Sequence, residues 1–225
     1  MKNLEEVTET IEKKLNEKDD LREAALKKCR DIIRMSRRCI KNIHSGKEVE
    51  EMMDEVVEMN KKLRKELKDH PDLLTSGYME NASQELAEAK IFLAITKGEN
   101  LPYPEDIGVS YISYLLGFSD VIGELRRVGV NLLKEGKIAE VESIMEKMEA
   151  ICDKLMEFDY PSGLIPIKRK QDVAKKLLER MRSDIILLRK NKELEEKMDV
   201  IIKKLRKKRE KKENEFGLDV DSVWR

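Results

Sequence analysis

YISYLLGFSDVIGELRRVGVNLL, residues 111–133, sets Tyr111, Leu115, Phe118, Ile122, Leu125, Val128 and Leu132 at steps of three and four. That spacing keeps apolar groups on one side of an α-helix and would scatter them over both faces of a strand. The same rhythm continues on either side. After Gly136 it carries Ile138, Val141, Met145, Met148 and Cys152. Before the Gly/Pro-rich loop KGENLPYPEDIGVS, residues 97–110, a helix is predicted from about Leu73 to Ile95. Upstream, Met52, Met53, Val56, Val57 and Leu63 mark a helix over about Val49–Leu67, closed by His70-Pro71. A long or broken first helix runs from Val7, Ile11 and Leu15 to Ile43, ending at Ser45-Gly46. After the loop DYPSGLIPIKRK, residues 159–170, Val173, Leu177, Met181, Ile185 and Leu188 mark a sixth helix.

The composition agrees, with 41% charged and 4% aromatic residues and little Gly or Pro in 225 residues, a balance suited to long amphipathic helices. The expected fold is all-α, a bundle of about six or seven long antiparallel helices over residues 1–190. Residues 191–225 change character. ELEEKMDVIIKKLRKKREKKENE is highly charged with a thin apolar stripe and reads as a projecting helix or mobile tail. Docking of Phe216 and Trp224 on a neighbouring subunit is the alternative to a mobile tail.

Acids and bases number 46 each, so net charge gives no global argument for nucleic acid. No stretch approaches the roughly 18 apolar residues of a membrane span, and the start lacks a signal-peptide core. A soluble, cytoplasmic protein without membrane partners is expected. Cys29, Cys39 and Cys152 are odd in number and never spaced Cys-x-x-Cys, so they read as reduced packing residues. His44 and His70 are the only histidines. Catalysis would have to use carboxylates. No phosphate-binding glycine loop or dinucleotide fingerprint is present.

Carboxylates do stand where burial is expected. In QELAEA, residues 84–89, Glu85 and Glu88 share a helix face with Ala82, Ala89 and Phe92. In the next long helix Asp120 and Glu124 lie four apart on the stripe of Leu116, Gly117 and Val128. If the two faces meet, four acids converge in a pocket kept roomy by Ala82, Ala89, Gly117 and Gly123. Several buried carboxylates must be protonated, paired with cations or bound to a metal. Oxygen ligands without thiolate or imidazole suit Mg²⁺ or Mn²⁺, and phosphodiester hydrolysis is the chemistry such a site would serve. The plain alternative pairs the acids with Arg126, Arg127 or first-helix arginines.

KKCRDIIRMSRRCIKNIH, residues 27–44, holds seven bases against one acid. Arg30, Arg34, Arg37 and Lys41 follow helical spacing along one face, with Arg38 beside them, a plausible phosphate track for single-stranded nucleic acid. Lys168, Arg169 and Lys170 open a second basic segment. The alternative is that basic and acidic helices pair with each other.

RDIIRMSRRCIKNIH (30–44), GYMENASQELAEAKIF (77–92), GENLPYPEDIGV (98–109), YLLGFSDVIGELRR (114–127) and PIKRKQDVAKKLLERMRSDI (166–185) resemble, in order and spacing, the translin superfamily. The resemblance spans about residues 20–190. It implies a seven-helix bundle assembled into a hollow octamer around nucleic acid. The family includes translin, a binder of single-stranded DNA and RNA, and translin-associated factor X, the catalytic subunit of a Mg²⁺-dependent endoribonuclease. The catalytic type carries Glu-x-x-Glu on one helix and Asp-x-x-x-Glu on the next, and Glu85, Glu88, Asp120 and Glu124 match that pattern. The resemblance therefore implies catalytic and metal-binding roles for these four. It also implies a cage that cleaves single-stranded RNA, with a non-catalytic shell for single-stranded RNA or DNA as the alternative; the family's eukaryotic complexes mix two kinds of subunit, whereas this chain carries both the acids and the basic tracks, so a self-sufficient homo-oligomer is expected.

Overall fold

The computed structural model describes residues 3–216, which form eight helices and, among the described residues, no strand. Six are long: α1 (Leu4–His44), α2 (Glu50–Glu66), α4 (Gly77–Lys97), α6 (Tyr111–Lys134), α7 (Ile138–Met156) and α8 (Ile167–Phe216). Two are single turns opened by proline, α3 (Pro71–Leu74) and α5 (Pro104–Ile107). The stretch predicted as one helix from Leu73 is thus two. Pro71 favours a fresh helical start, and the extended Ser76 separates that turn from α4. At the other end of α4, Gly98 takes the left-handed conformation (φ 70°) and its N–H donates to the carbonyls of Ala94 and Ile95, a closure that favours glycine.

Cross-helix pairs fix the directions. Along α1 and α4 the contacts Cys29–Met79, Arg37–Glu85 and His44–Phe92 climb in step, so the two run parallel. Ser113–Glu80 and Asp120–Gln84 place α6 parallel to α4, which the long 98–110 crossover permits. Lys170–Asp120 and Asp184–Arg126 place α8 parallel to α6. Helices joined by shorter turns are antiparallel: Glu50–Lys97 and Asp54–Lys90 reverse α2 against α4, and Glu149–Arg182 and Glu142–Arg189 reverse α7 against α8.

α4 lies centrally, between α1 and α6. Leu86, Ile91 and Phe92 are fully buried there with Ile32 of α1, Met53 and Val56 of α2, Val121, Ile122 and Leu125 of α6, Met148 of α7 and Met181 of α8. Burial on this scale is the main stabilising contribution. The three cysteines are buried and free, as packing residues should be. Tyr111, read as the first member of the apolar stripe, is exposed, and the buried part begins with Leu116. Its hydroxyl donates to Glu105, because the stripe starts before α6 has reached the core. Val173 is likewise exposed.

α8 shows no break at residue 190 and continues as one helix to Phe216. A projecting helix describes 191–216. The Phe216 side chain and Trp224, named for docking, lie outside the described residues. No helix of the described residues is long and apolar enough to cross a membrane.

Candidate active site and nucleic-acid interface

The parallel run of α1, α4, α6 and α8 brings the four predicted acids together on one side of the bundle. Two geometric facts hold them there. Gly117 of α6 packs against the α4 backbone, where a Cβ would lie 2.6 Å from the Gln84 oxygen and 2.8 Å from the Glu88 nitrogen. The glycine is therefore not spare room in a pocket, as its sequence position suggested, but the point of closest approach of the two helices. Ala82 and Ala89 are also fully buried in the core. Gly123 faces open space.

Each outer acid has a cationic or polar partner. Arg37 of α1 forks onto Glu85, Nε to Oε2 at 3.0 Å and Nη2 to Oε1 at 2.5 Å. Lys170 of α8 donates to both oxygens of Asp120, at 2.6 and 2.8 Å, and Gln84 Nε2 donates to Asp120 Oδ2 at 2.6 Å. Glu124 contacts the His44 ring nitrogen Nε2 and lies 3.6 Å from Arg127 Nη1. Glu88 sits among them. Its carboxyl is pushed up to about 8, chiefly by burial and then by the charges of Asp120, Glu85 and Glu124, against which Lys170 pulls down. A carboxyl so placed keeps its proton at neutral pH.

The pairing of acids with a first-helix arginine and with Arg127, the plain alternative of the sequence, is thus present at Glu85 and Glu124. Among the described residues no three His, Cys, Asp or Glu side chains are grouped closely enough to hold a metal ion as they stand. The donor chemistry still suits a hard cation, since three carboxylates lie within electrostatic reach of Glu88 and its protonation marks a surplus of negative charge.

The basic residues divide. Arg37 and Lys170 belong to the acid row. Arg30, Arg34, Arg38 and Lys41 remain exposed along α1. Arg34 is paired with Asp31 on its own helix and, with Arg38, lines a cleft opposite Glu51 and Glu55 of α2. Lys168 and Arg169 are exposed at the start of α8, with Lys168 4.0 Å from Asp159.

Sequence reasoning misses three participants. His44 reads in the sequence only as one of too few histidines, yet its side chain is 6% exposed, stacks 5.0 Å from the Phe92 ring and meets Glu124. Its signals are its place on the last turn of α1 and its step of four from the buried Ile40. Gln84 and Glu80 fall at i−4 and i−8 from Glu88, a spacing that puts them on the same stripe. Glu80 accepts from Ser110 Oγ at 2.7 Å and from the Ser113 hydroxyl, tying α4 to the start of α6. A cavity of about 640 Å³ opens next to His44 and Phe92, but none of the four acids lines it.

No family model matches the chain. An uncharacterised protein of Methanocaldococcus jannaschii is 34% identical over 185 residues, covering 81% of this chain and 82% of that protein. Among solved structures, AfC3PO is 34% identical, with TM-score 0.74 alone and 0.72 in its complex with duplex RNA, covering 81% of this chain and 96% of AfC3PO in both. Apo-NeC3PO, 19% identical with TM-score 0.73 over 80% of this chain and 96% of its own, shares the fold. On the identity and coverage shared with AfC3PO, and on the same helical architecture, the chain belongs to the translin/C3PO family.

Proposed function

We propose that this protein is a metal-dependent endoribonuclease of the translin-associated factor X type, cleaving single-stranded RNA inside a homo-oligomeric cage, octameric by the family resemblance. The observation that carries the reading is Glu88, a carboxyl raised to about 8 by burial and by three neighbouring carboxylates. Perturbed acids of this kind concentrate at sites of chemistry. Glu85, Glu88, Asp120 and Glu124 are the residues that would hold Mg²⁺ or Mn²⁺, which when bound supplies Lewis-acid polarisation of the phosphodiester and a lowered pKa for bound water. Glu88 is the group closest to changing protonation near neutrality, and we assign it the proton transfer at the attacking water. Arg37, 65% exposed, and Lys170 stand beside the acids and would meet phosphate oxygens of a strand lying across the row. Arg30, Arg34, Arg38, Lys41, Lys168 and Arg169 would extend that contact along the backbone without reading sequence. AfC3PO has been seen with duplex RNA, so the proposed RNA binding extends to duplexes. Single-stranded DNA is a further ligand of the proposal, and buried free thiols suit a cytoplasmic location.

A second reading has its own observation. Arg37, Lys170 and His44 already partner three of the acids, as they would in a passive shell that binds nucleic acid without cutting it. Cleavage of labelled single-stranded RNA, with Mg²⁺ and with excess chelator, separates the two. The natural protein is compared with Glu88→Ala and Asp120→Ala, each checked for intact assembly. Metal-dependent cleavage lost in both variants is expected. Tight binding without cleavage in any metal would leave the shell.

A further inference from the structure

The acids of the row differ in how many of their oxygens the protein has already taken. Arg37 holds both oxygens of Glu85. Lys170 holds both oxygens of Asp120, and Gln84 adds a second bond to one of them. Glu124 differs. His44 Nε2 and Arg127 Nη1 both approach its Oε2, and among the described residues no hydrogen bond reaches its Oε1. Of the two partners His44 is the firmer. Its side chain is 6% exposed, whereas that of Arg127 is 56% exposed and its nitrogen lies 3.6 Å away, beyond hydrogen-bond range.

The His44 ring is itself held. Its centroid lies 5.0 Å from that of Phe92, with the planes tilted by 39°. Phe92 is fully buried and stands one helical turn beyond Glu88 on α4. The ring thus rests on the helix that carries Glu88 and reaches the helix that carries Glu124. Beside it opens the cavity of about 640 Å³, lined by His44 and Phe92, which leaves the ring without packing on that side. Its orientation therefore depends on the stack and on the Glu124 contact. A carboxylate oxygen can only accept, so Nε2 is the donor. Imidazole can donate as a neutral group, unlike the lysine on Asp120 and the arginine on Glu85, whose fixed charges compete with a cation for the same oxygens.

We infer that His44 is a positioning residue of the acid row, fixing Oε2 of Glu124 through Nε2 and leaving Oε1 free to ligate a divalent cation. The inference rests on the nuclease reading, in which the four acids hold the metal. Within that reading it ranks the acids. Glu85 and Asp120 must share or give up a cationic contact before they ligate, and Glu88 must lose a proton. Oε1 of Glu124 is available with no such displacement. Carboxylates that bind metals are commonly steered by a hydrogen bond to their outer oxygen, and losing that bond weakens the metal although the ligand itself remains. His44 acts through Glu124 and is not itself placed on the cation.

The test is Mn²⁺ binding by the full-length protein without RNA, read from the electron paramagnetic resonance signal of the free ion. His44→Phe keeps a ring to stack on Phe92 but removes the donor, and should weaken Mn²⁺ binding about 10- to 100-fold. His44→Gln returns an N–H at similar reach and should recover most of that loss. In a Glu124→Ala background His44→Phe should cost nothing further, because its effect runs through Glu124. Light scattering checks that each variant assembles as the natural protein does, with His44→Leu replacing His44→Phe should the latter not assemble. Undiminished Mn²⁺ affinity in assembled His44→Phe would reduce the histidine to a packing residue and overturn the inference. A loss in His44→Gln as deep as in His44→Phe would make the imidazole itself a metal ligand, and a further loss on top of Glu124→Ala would give it a role of its own; either result also overturns it. No Mn²⁺ bound by the natural protein, with RNA still bound, would sink the metal reading and the inference with it.

Discussion

Replacing Glu88 by glutamine removes a titrating group while nearly preserving its shape, and stability against pH reads the result directly. In the folded protein the Glu88 carboxyl is raised from the ordinary 4.5 to about 8. Between these values the folded state keeps a proton that the unfolded chain has lost. The unfolded state therefore binds fewer protons, and stability must fall as pH rises through that window. Its contribution is fully present below about 4.5 and gone above about 8. At about 1.4 kcal/mol per pH unit the ceiling is about 5 kcal/mol. Glu88 is only partly buried, so relaxation and water should roughly halve this, leaving about 2 kcal/mol. Glu88→Gln should accordingly gain about 2 kcal/mol over the natural protein at pH 9 relative to their difference at pH 5. Urea unfolding at pH 5, 7 and 9 in the presence of chelator measures it. Parallel pH profiles for the two proteins would refute the electrostatic account of the acid row.

Gly117→Ala puts a Cβ within 3 Å of the α4 backbone at two points, and should cost about 1–3 kcal/mol of stability in thermal unfolding, since neither helix can yield alone. Arg37→Ala strips Glu85, whose side chain is only 16% exposed, of its two-point partner and should cost about 1–3 kcal/mol, which the same unfolding assay checks. Arg34→Ala with Arg38→Ala should weaken RNA binding alike for all sequences and reduce the salt slope by about 1 for each phosphate no longer neutralised, read from titrations at several ionic strengths. Burial pushes the Cys29 and Cys39 thiols up to about 11, so neither should react with iodoacetamide at pH 8 until the protein is unfolded, as mass spectrometry would show.

Much of this architecture can be read from periodicity because each long helix buries one stripe, and three-and-four spacing records that stripe directly. The failures occur where spacing persists but burial does not. Val7, Ile11 and Leu15 have the same rhythm as Ile32 or Val56 yet face solvent, since nothing in a linear pattern says how far a neighbouring helix extends. Tyr111 fails for the same reason at the start of α6. The α3–α4 break is hidden because Leu73 continues the apolar count, while the interruption lies in the backbone at Ser76. The acids are legible as a group because Glu85, Glu88, Asp120 and Glu124 interrupt stripes that should be apolar. Their partners are legible only in kind, as first-helix arginines or Arg127, without Lys170, Gln84 or His44. Arg37 looks like one more member of an exposed track, and only the parallel packing of α1 on α4 shows that it turns to Glu85. His44 continues the buried stripe of α1 four residues beyond Ile40, but that spacing does not say that it meets Glu124.

The difference between a site and an ion-pair network lies in which residue goes uncompensated by its surroundings. Glu85, Asp120 and Glu124 each gain a cation or hydrogen-bond donor, and a network built only for packing could keep them. Glu88 gains nothing comparable: Lys170 eases it, but burial and three like charges outweigh that help. Glutamine would fill the same space without the penalty. On the proposed nuclease reading, a residue that lowers stability above pH 4.5 is kept for its chemistry, because function tolerates a local destabilisation that packing would remove. If Mg²⁺ occupies the row, its charge should pull the Glu88 carboxyl down and release its proton. Adding Mg²⁺ at pH 7 in weak buffer should then acidify the solution by nearly one proton per site, and do so far less in Glu88→Gln. Equal release from both proteins would leave Glu88 outside the metal site, whatever the cleavage assay finds.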